Sequence, residues 1–304
     1  MKPLRINSIS EFHQLHRLAP PEHPLISVVD YAQVAKAKRN NPMPPLVADY
    51  YSISAKRGLD GKMRYGQQEY DFDEGVMYFL APKQVLHASP APDEKARPSG
   101  WILLIHPDFL WGTPLAKNMK HYGFFGYSVS EALFLSEKEE ATINGIIANI
   151  KQEYHANIDK FSQRIIISQV ETLLNYSERF YERQFITRKI TNHQILDRLE
   201  GLLDDYYGQS ELMQSGPPTV QFVADQLHVS PNYLSGLLKV LTGQTTQQHI
   251  QSRLIEKAKE KLSTTNLSVS EIAYELGFEH SQSFSKLFKA KTNQSPLAFR
   301  QSFN

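Results

Sequence analysis

The 304-residue chain contains no cysteine, and this absence excludes disulfide bonds, thiolate zinc sites and a cysteine nucleophile. It also lacks a run of about 18 apolar residues, the length that a membrane-spanning helix needs. The opening segment MKPLRINSISEFHQL has no apolar stretch of the kind found in signal peptides. Charge of neither sign dominates, because 33 basic residues face 32 acidic ones. The sequence therefore predicts a soluble, cytoplasmic protein with no membrane partner, whose global charge says nothing about other partners.

Motifs of several enzyme classes are missing as well. No GxSxG, HExxH or P-loop pattern occurs, so nothing favours a hydrolase of those types or a nucleotide-dependent enzyme. His87 and His106 lie far apart along the chain, and no His-x-His pair occurs, whereas a metal site needs ligands that converge. We therefore expect no catalytic residues, no metal ion and no other cofactor.

The first half of the chain has the composition of a β-rich domain followed by helices. Six prolines between positions 20 and 45 predict irregular or extended structure for residues 1–45. Residues 47–110 contain short segments rich in β-branched and aromatic residues, such as VADYYSIS and GVMYFLAP, which are typical of a sandwich or small barrel.

Helical periodicity begins after Ser136 and continues to about residue 185. Ser136 and Glu139 have the spacing of a capping box, and a second helix is predicted from Asp159 to Arg183. The pattern lapses between Ile186 and Asn192. We therefore predict an α+β fold, with one domain at 1–185 and an all-α domain at 192–304.

The all-α part contains an internal repeat. VQFVADQLHVS, from Val220, matches VSEIAYELGFE, from Val269. Each copy has an alanine where two steeply crossing helices would touch, Ala224 in the first and Ala273 in the second. Gly277 supplies a flexible turn residue in the second copy. The repeat predicts two helix-turn-helix units, at about 219–241 and 268–291.

One long helix is predicted between the two copies, from Thr246 to Ser263. Its length, at about 1.5 Å per residue, is roughly 27 Å, which compares with roughly 34 Å for one turn of DNA. Residues 226–255 and 280–304 contain no Asp or Glu, and DNA phosphates require cations without nearby anions. The spacing and the local charge favour an element that places two helices in successive major grooves.

Residues 193–304 resemble the DNA-binding domain of the AraC/XylS family. The segment SVSEIAYELGFEHSQSFSKLFKAKTNQSPLAFR carries the resemblance, through Ile272-Ala273, Gly277-Phe278, Phe284, Phe288-Lys289, Ser295-Pro296 and Arg300. Asn293 stands where the family usually has Gly, and Asn tolerates left-handed backbone. Ser235 and Gly236 stand where relatives often have long base-reading side chains. The first unit is therefore expected to bind mainly through backbone and DNA shape.

The second helix of each unit supplies the candidate DNA contacts. Gln is suited to bidentate contact with adenine, and Lys to guanine or phosphate. The predicted contacts are Asn232, Tyr233, Ser235 and Lys239 in the first unit, and Ser281, Gln282, Ser283, Ser285 and Lys286 in the second. Phe278, Phe284, Leu287 and Phe288 are predicted to be core residues.

The resemblance also has implications for the N-terminal half. It implies a cupin-like β-barrel that senses a small molecule, followed by helices that form a homodimer. The barrel's effector pocket would take aromatic and apolar residues from the strands, and the candidates are Tyr51, Ile53, Tyr78 and Trp101. The implied partners are double-stranded DNA, a small-molecule effector and RNA polymerase, and the implied role is a nucleoid-associated activator of transcription.

Alternatives remain open at this point. The helix from Asp159 to Arg183 can form a dimer interface or simply pack on its own domain, because one apolar stripe serves either purpose. A regulator that works without an effector fits the same residues. A cupin enzyme with an attached helical domain is a third interpretation, disfavoured by the missing metal ligands.

Overall fold

The computed structural model describes residues 3–40, 44–58, 63–65, 68–70, 75–86, 97–128, 131–156, 159–187, 189–208 and 216–302. The chain divides into two compact units, Met1–Gln184 and Phe185–Asn304. We call them the N-terminal unit and the C-terminal unit. The division falls close to the end of a long helix, Ser162–Thr187.

The N-terminal unit is built on an antiparallel sheet of five strands. The described strands are β1 (Leu4–Ile6), β2 (Ile26–Asp30), β3 (Leu46–Ala48), β4 (Tyr51–Arg57), β5 (Met63–Tyr65), β6 (Gln68–Tyr70), β7 (Gly75–Leu80), β8 (Val85–Leu86), β9 (Ser99–Ile105) and β10 (Leu133–Leu135). The main sheet has the order β10-β7-β4-β9-β2. A smaller sheet has the order β1-β3-β8, and β5 and β6 form a two-stranded ribbon.

The predicted cupin-like barrel is not confirmed. Among the described residues, the main sheet is open, because β10 and β2 stand at its two edges and do not pair with each other. Three strands also lie outside the predicted 47–110 window, namely β1, β2 and β10. The smaller sheet mixes a parallel pair, β1 with β3, and an antiparallel pair, β3 with β8.

The prediction of irregular structure for residues 1–45 is wrong. Besides β1 and β2, this segment forms helices α1 (Ile9–Leu15) and α2 (Tyr31–Asn40). The physical reason lies in the position of the prolines. Those at 20–24 lie between α1 and β2, and those at 42–45 lie between α2 and β3, so they mark connections rather than interrupt elements.

Further helices complete the unit. They are α3 (Pro114–Asn118), α4 (Glu137–Tyr154) and α5 (Ser162–Thr187). The predicted capping box begins α4, where the Ser136 amide donates to Glu139 Oε2 at 2.8 Å. The second helix starts at Ser162 rather than Asp159, because the Asp159 carboxylate accepts bonds from the amides of Phe161 and Ser162 and so lies before the first turn.

All the regular elements of the C-terminal unit are helices among its described residues. It comprises α6 (Lys189–Gly208), α7 (Val220–Leu227), α8 (Pro231–Thr242), α9 (Thr246–Thr264), α10 (Val269–Glu275), α11 (Ser281–Thr292) and α12 (Pro296–Gln301). Helix α9 is the predicted connecting helix, and its residues Leu254, Ala258 and Leu262 belong to the same buried cluster as Phe284 and Phe288 of α11. Among the described residues, the helices of both units are too short or too polar to cross a bilayer.

Candidate nucleic-acid interface

Two bent helix pairs form where the sequence repeats, α7 with α8 and α10 with α11. The N-terminus of each first helix is capped by a hydroxyl: Thr219 Oγ1 accepts from the Phe222 amide at 3.1 Å, and Ser268 Oγ accepts from the Glu271 amide at 3.2 Å. Both caps satisfy amide groups that a helix start otherwise leaves without partners.

The turns of the two pairs close with the same backbone bond. The Val229 amide donates to the Ala224 carbonyl at 3.0 Å, and the Phe278 amide donates to the Ala273 carbonyl at 3.0 Å. Both alanines are fully buried, as expected where two helices touch. The residue that turns the chain is left-handed in each copy, with φ of +58° at His228 and +82° at Gly277.

Gly277 is required for a second reason, a close approach to another segment. A Cβ atom at this position would lie 2.7 Å from the carbonyl carbon of Gly216 and 3.1 Å from the nitrogen of Pro217. Such a contact is far inside the normal carbon–carbon separation of about 3.5–4.0 Å. The turn of the second pair is therefore fixed against the backbone that precedes α7, which also receives a 2.6 Å hydrogen bond from the Tyr206 hydroxyl at the Gly216 carbonyl.

Helix α11 presents one polar stripe to solvent. Gln282, Lys286 and Lys289 are exposed and follow each other at i, i+4 and i+7, which places them on one side of the helix. We call these three residues the α11 stripe. The opposite side is buried through Phe284 and Phe288, each with no measurable exposure. The stripe leaves Gln and Lys side chains available for base edges and phosphates.

The remaining predicted contacts on α11 vary in exposure. Ser283 is exposed, whereas Ser281 and Ser285 are half-buried. Lys289 was absent from the predicted contacts, although its spacing from Gln282 and Lys286 is the signal that identifies it. The predicted core role of Phe284 and Phe288 agrees with their burial, and Phe278 and Leu287 pack against the same cluster as partly buried residues.

The equivalent stripe on α8 is poorer in side chains. Asn232, Gly236 and Lys239 occupy the positions that match the α11 stripe, and we call them the α8 stripe. Asn232 and Lys239 are exposed, but Gly236 has no side chain to extend. The first helix-turn-helix unit therefore offers two polar side chains where the second offers three.

Two predicted contacts on α8 point into the protein instead. Tyr233 was predicted to face outward, but it is only 3% exposed and its ring lies edge-on to Phe185, with centroids 5.2 Å apart. Ser235 is half-buried, and its hydroxyl lies 3.0 Å from that of Thr246 at the start of α9. Tertiary packing within the unit thus engages both side chains, and Tyr233 is withdrawn from the set of candidate DNA contacts.

Cations in the C-terminal unit fall into two groups. Three of the four Lys and Arg side chains on α9 pair with carboxylates: Arg253 with Asp204 and Glu256, Lys257 with Glu260, and Lys261 with Glu275 at 2.7 Å. The fourth, Lys259, is exposed. The hydrogen bonds that Arg253 donates to the carboxylate of Asp204, and then to that of Glu256, raise the pKa of Arg253.

Lysines of the second helices form the other group. Lys239, Lys286 and Lys289 are exposed and have no carboxylate partner among the described residues. The positive charge left for phosphates is therefore concentrated on α8 and α11 rather than on the connecting helix.

Arg300, part of the segment that carries the family resemblance, has a structural position. Its Nε donates to the Leu262 carbonyl at the end of α9 at 3.2 Å. Asn293, which replaces the family's usual glycine, ends α11 in a left-handed conformation with φ of +60°, and Gly243 ends α8 in the same way at +75°. The two second helices therefore terminate alike.

The four residues predicted to line an effector pocket do not converge. Directly paired residues of antiparallel strands share a face of the sheet. Tyr51, Ile53 and Ala55 alternate along β4 and therefore lie on one face of the sheet. Ala55 pairs with Trp101, so Trp101 lies on the same face. Tyr78 pairs with Ser54 and therefore lies on the other face.

Contacts within the unit account for three of these side chains. Ile53 is fully buried, and the Trp101 indole donates to Asn144 Oδ1 of α4 at 3.0 Å. Tyr78 lies 4.9 Å from the Lys56 ammonium, and burial followed by the effect of Tyr31 raises its pKa to about 12. The proposed common pocket is therefore not formed by these four residues.

Of the two histidines considered as metal ligands, the structure describes only His106. His87 lies outside the described residues. His106 Nδ1 accepts from the Asp108 amide at 3.3 Å and so caps the 3-10 turn Pro107–Leu110. This local role explains the histidine without a metal.

Comparison with known proteins finds relatives of this chain. Residues 223–302 match a family model described as a helix-turn-helix domain. "Uncharacterized HTH-type transcriptional regulator YfiF" of Bacillus subtilis (strain 168) is 32% identical over 143 residues, which cover 47% of this chain and 42% of that protein. The HTH-type transcriptional activator RhaS of Escherichia coli O1:K1 / APEC is 40% identical over 79 residues, covering 26% of this chain and 28% of RhaS. The chain thus spans less than half the length of both relatives.

A solved structure is also similar. The C-terminal domain of AraT, a response regulator from Geobacillus stearothermophilus, shares 31% identity, with 36% of this chain and 84% of that chain covered and a TM-score of 0.31.

Proposed function

Because residues 223–302 form a helix-turn-helix domain of AraC type, we propose that the protein is a sequence-specific DNA-binding transcription regulator. The observation that carries the proposal is the α11 stripe, in which Gln282, Lys286 and Lys289 stand exposed on one side of a second helix whose other side is core. A helix of this kind docks in the major groove with its first residues at the base edges.

In this proposal the two helix-turn-helix units have different roles in DNA binding. The α11 stripe reads bases and holds phosphates, whereas the α8 stripe, with Gly236 at its centre, positions the protein through Asn232, Lys239 and the shape of the duplex. Helix α9 spans about 28 Å at about 1.5 Å per residue. That length suits two second helices that enter successive major grooves, about 34 Å apart.

The proposed role of the N-terminal unit is control of this binding. We propose that it senses a small-molecule effector, that α5 forms the contact of a homodimer, and that the bound protein activates transcription together with RNA polymerase. RhaS is named a transcriptional activator, which supports the direction of control. A target on chromosomal DNA implies a cytoplasmic location.

Selection of bound duplexes from a random DNA pool by the full-length protein tests the proposal. We expect enrichment of one sequence with two half-sites about 10 base pairs apart. Failure to enrich any sequence above the non-specific background contradicts a sequence-specific function.

A variant then tests the α11 stripe on the selected operator. Lys286→Ala is expected to weaken binding by about 1–3 kcal/mol, because an exposed cation that contacts a guanine or a phosphate is lost. Gel shifts at matched salt measure the change. Lys138→Ala, which removes an exposed lysine from α4, is the control for net charge. Equal affinities of the Lys286→Ala variant and the unaltered protein would remove Lys286 from the interface.

A further inference from the structure

A cavity of about 330 Å³ lies in the N-terminal unit, away from the residues that the sequence suggested for an effector pocket. It is bounded by the start of β2, the 3-10 turn Pro107–Leu110, the last turn of α4 and the first turns of α5. Its volume is at the small end of the range of about 300–1,000 Å³ found for ligand sites. A compact molecule fits this space, and an extended chain does not.

Aromatic and aliphatic side chains form most of the wall. Phe109, Tyr154 and Ile166 line the cavity and are each less than a tenth exposed. The His23 ring lies edge-on to Phe109, with centroids 5.4 Å apart. Their burial shows that the wall is held in place by the surrounding fold, so an apolar or aromatic body can bind without rearrangement.

The polar groups on the wall are anionic or neutral. Burial lowers the pKa of His23, and its Nδ1 accepts from the Leu25 amide at 3.0 Å, so the ring is neutral. Hydrogen bonds from the amides of Phe161 and Ser162 help to hold the pKa of Asp159 below its ordinary value, so this carboxylate is charged.

Glu153 contributes a carboxylate to the wall of the cavity. It lines the cavity from the last turn of α4, it is half-buried, and its carboxylate has no hydrogen bond or ion pair with another described residue. No lysine or arginine is among the described residues that line the cavity. A half-buried carboxylate without a partner favours a cation from solution.

We propose that this cavity binds a small organic cation, whose ammonium group pairs with Glu153 and whose apolar or aromatic body packs against Phe109, Tyr154 and Ile166. The aromatic faces add attraction for the same charge. As the effector site, the cavity rests on the proposed function. Helix α5 begins at the cavity, so an occupant contacts the helix proposed above as the dimer contact.

Calorimetry on the full-length protein without DNA tests the site. The probe is 2-phenylethylamine at pH 7, compared with the neutral 2-phenylethanol and the anion phenylacetate. We expect the ammonium compound to bind at least about tenfold more tightly than the alcohol, because a charge-assisted hydrogen bond is lost in the latter. Saturating amine should also raise the unfolding temperature.

Two matched variants test whether Glu153 supplies the charge that binds the amine. Glu153→Gln is expected to weaken binding of the amine at least about tenfold while leaving the weak binding of the alcohol unchanged. Glu137→Gln removes an exposed carboxylate from the other end of α4 and should leave both affinities unaltered. Circular dichroism confirms that both variants are folded.

Each of several results would overturn the proposal: no binding of the amine, equal binding of amine and alcohol, preference for phenylacetate, or equal effects of the two variants. The same preparations are assayed for DNA binding. Absence of amine binding together with intact DNA binding refutes only the proposed cation site. Amine binding without sequence-specific DNA binding refutes only the proposed function.

Discussion

Replacement of Gly277 by alanine is expected to destabilise the C-terminal unit far more than the same change at Gly243. Both glycines have positive φ, +82° and +75° respectively, so alanine at either position bears the cost of a left-handed conformation, about 1–2 kcal/mol. Only Gly277 adds a collision, since its Cβ would lie 2.7 Å from the Gly216 backbone. Among the described residues, nothing lies within 4 Å of a Cβ at Gly243.

The collision sets the difference between the variants. Backbone atoms of Gly216 and Pro217 cannot rotate away as a flexible side chain would, so the turn between α10 and α11 must shift. Overpacking of this kind typically costs about 1–3 kcal/mol. We therefore expect the free energy of unfolding to fall by about 2–5 kcal/mol for Gly277→Ala and by about 1–2 kcal/mol for Gly243→Ala.

Chemical denaturation of the full-length protein provides the assay, with two signals that separate the units. Both tryptophans, Trp101 and Trp111, lie in the N-terminal unit, so their fluorescence follows that unit alone. Circular dichroism at 222 nm follows helices in both units. Gly277→Ala should move the dichroism change that comes from the C-terminal unit to lower denaturant and leave the fluorescence transition in place. Stabilities of the two variants within about 0.5 kcal/mol of each other, less than the smallest expected cost of overpacking, would refute the reasoning.

Two further predictions test side chains that are occupied within the fold. Ser235→Ala leaves the fully buried Thr246 hydroxyl without its 3.0 Å partner and should cost about 1–2 kcal/mol in thermal or urea unfolding, with operator affinity unchanged; a loss of affinity with unchanged stability would instead place Ser235 on DNA. Tyr78 has a folded pKa of about 12, while an unfolded tyrosine ionises near 10. Its contribution to stability is thus complete below pH 10 and is lost as the pH rises towards 12. The fall in urea midpoint between pH 9 and pH 11 should be smaller in Tyr78→Phe than in the unaltered protein, and equal falls would contradict the assignment.

The helix-turn-helix pairs were predictable because their signals are local. Alanine at the crossing, a turn residue four positions later and an apolar residue after it all lie within one short segment, and the second copy repeats the pattern. The helix bounds follow from similar local features, such as the Ser136–Glu139 capping box and Pro231 at the start of α8.

The sheet was harder to predict because its geometry depends on distant pairings. Whether a sheet closes is decided by its edge strands, and β2 and β10 come from segments that were not predicted as strands. The face on which a side chain lies depends on strand register, and a shift of one residue reverses it. Register therefore separates Tyr78 from Ile53, although both lie on strands that the composition indicates.

Burial of Tyr233 had a local signal, because Tyr233 precedes buried Leu237 by four positions on α8, but the residue that packs against its ring did not. Its partner Phe185 comes from the end of α5, 48 positions earlier, and no helical periodicity within α8 reveals that contact. Glu153 and the cavity that it lines were also hidden, because the wall combines β2, the 3-10 turn at 107–110, α4 and α5. Such a set is brought together by tertiary packing alone.

Comparison of the two copies of the repeat distinguishes positions that both need for folding from positions that differ on the second helices. At the turn, both copies keep the same alanine and the same 3.0 Å backbone bond, so selection on folding holds these positions alike. On the second helices, equivalent positions have diverged: Gly236 corresponds to Lys286, and buried Tyr233 corresponds to exposed Ser283. Both second helices pack into the C-terminal unit on one side; on the outer side α8 has one cation, Lys239, where α11 has Lys286 and Lys289. If both were equal readers of DNA, this divergence would remove contacts without a structural gain. Under the proposed function, positioning by the first helix-turn-helix unit and base reading by the second would account for this divergence.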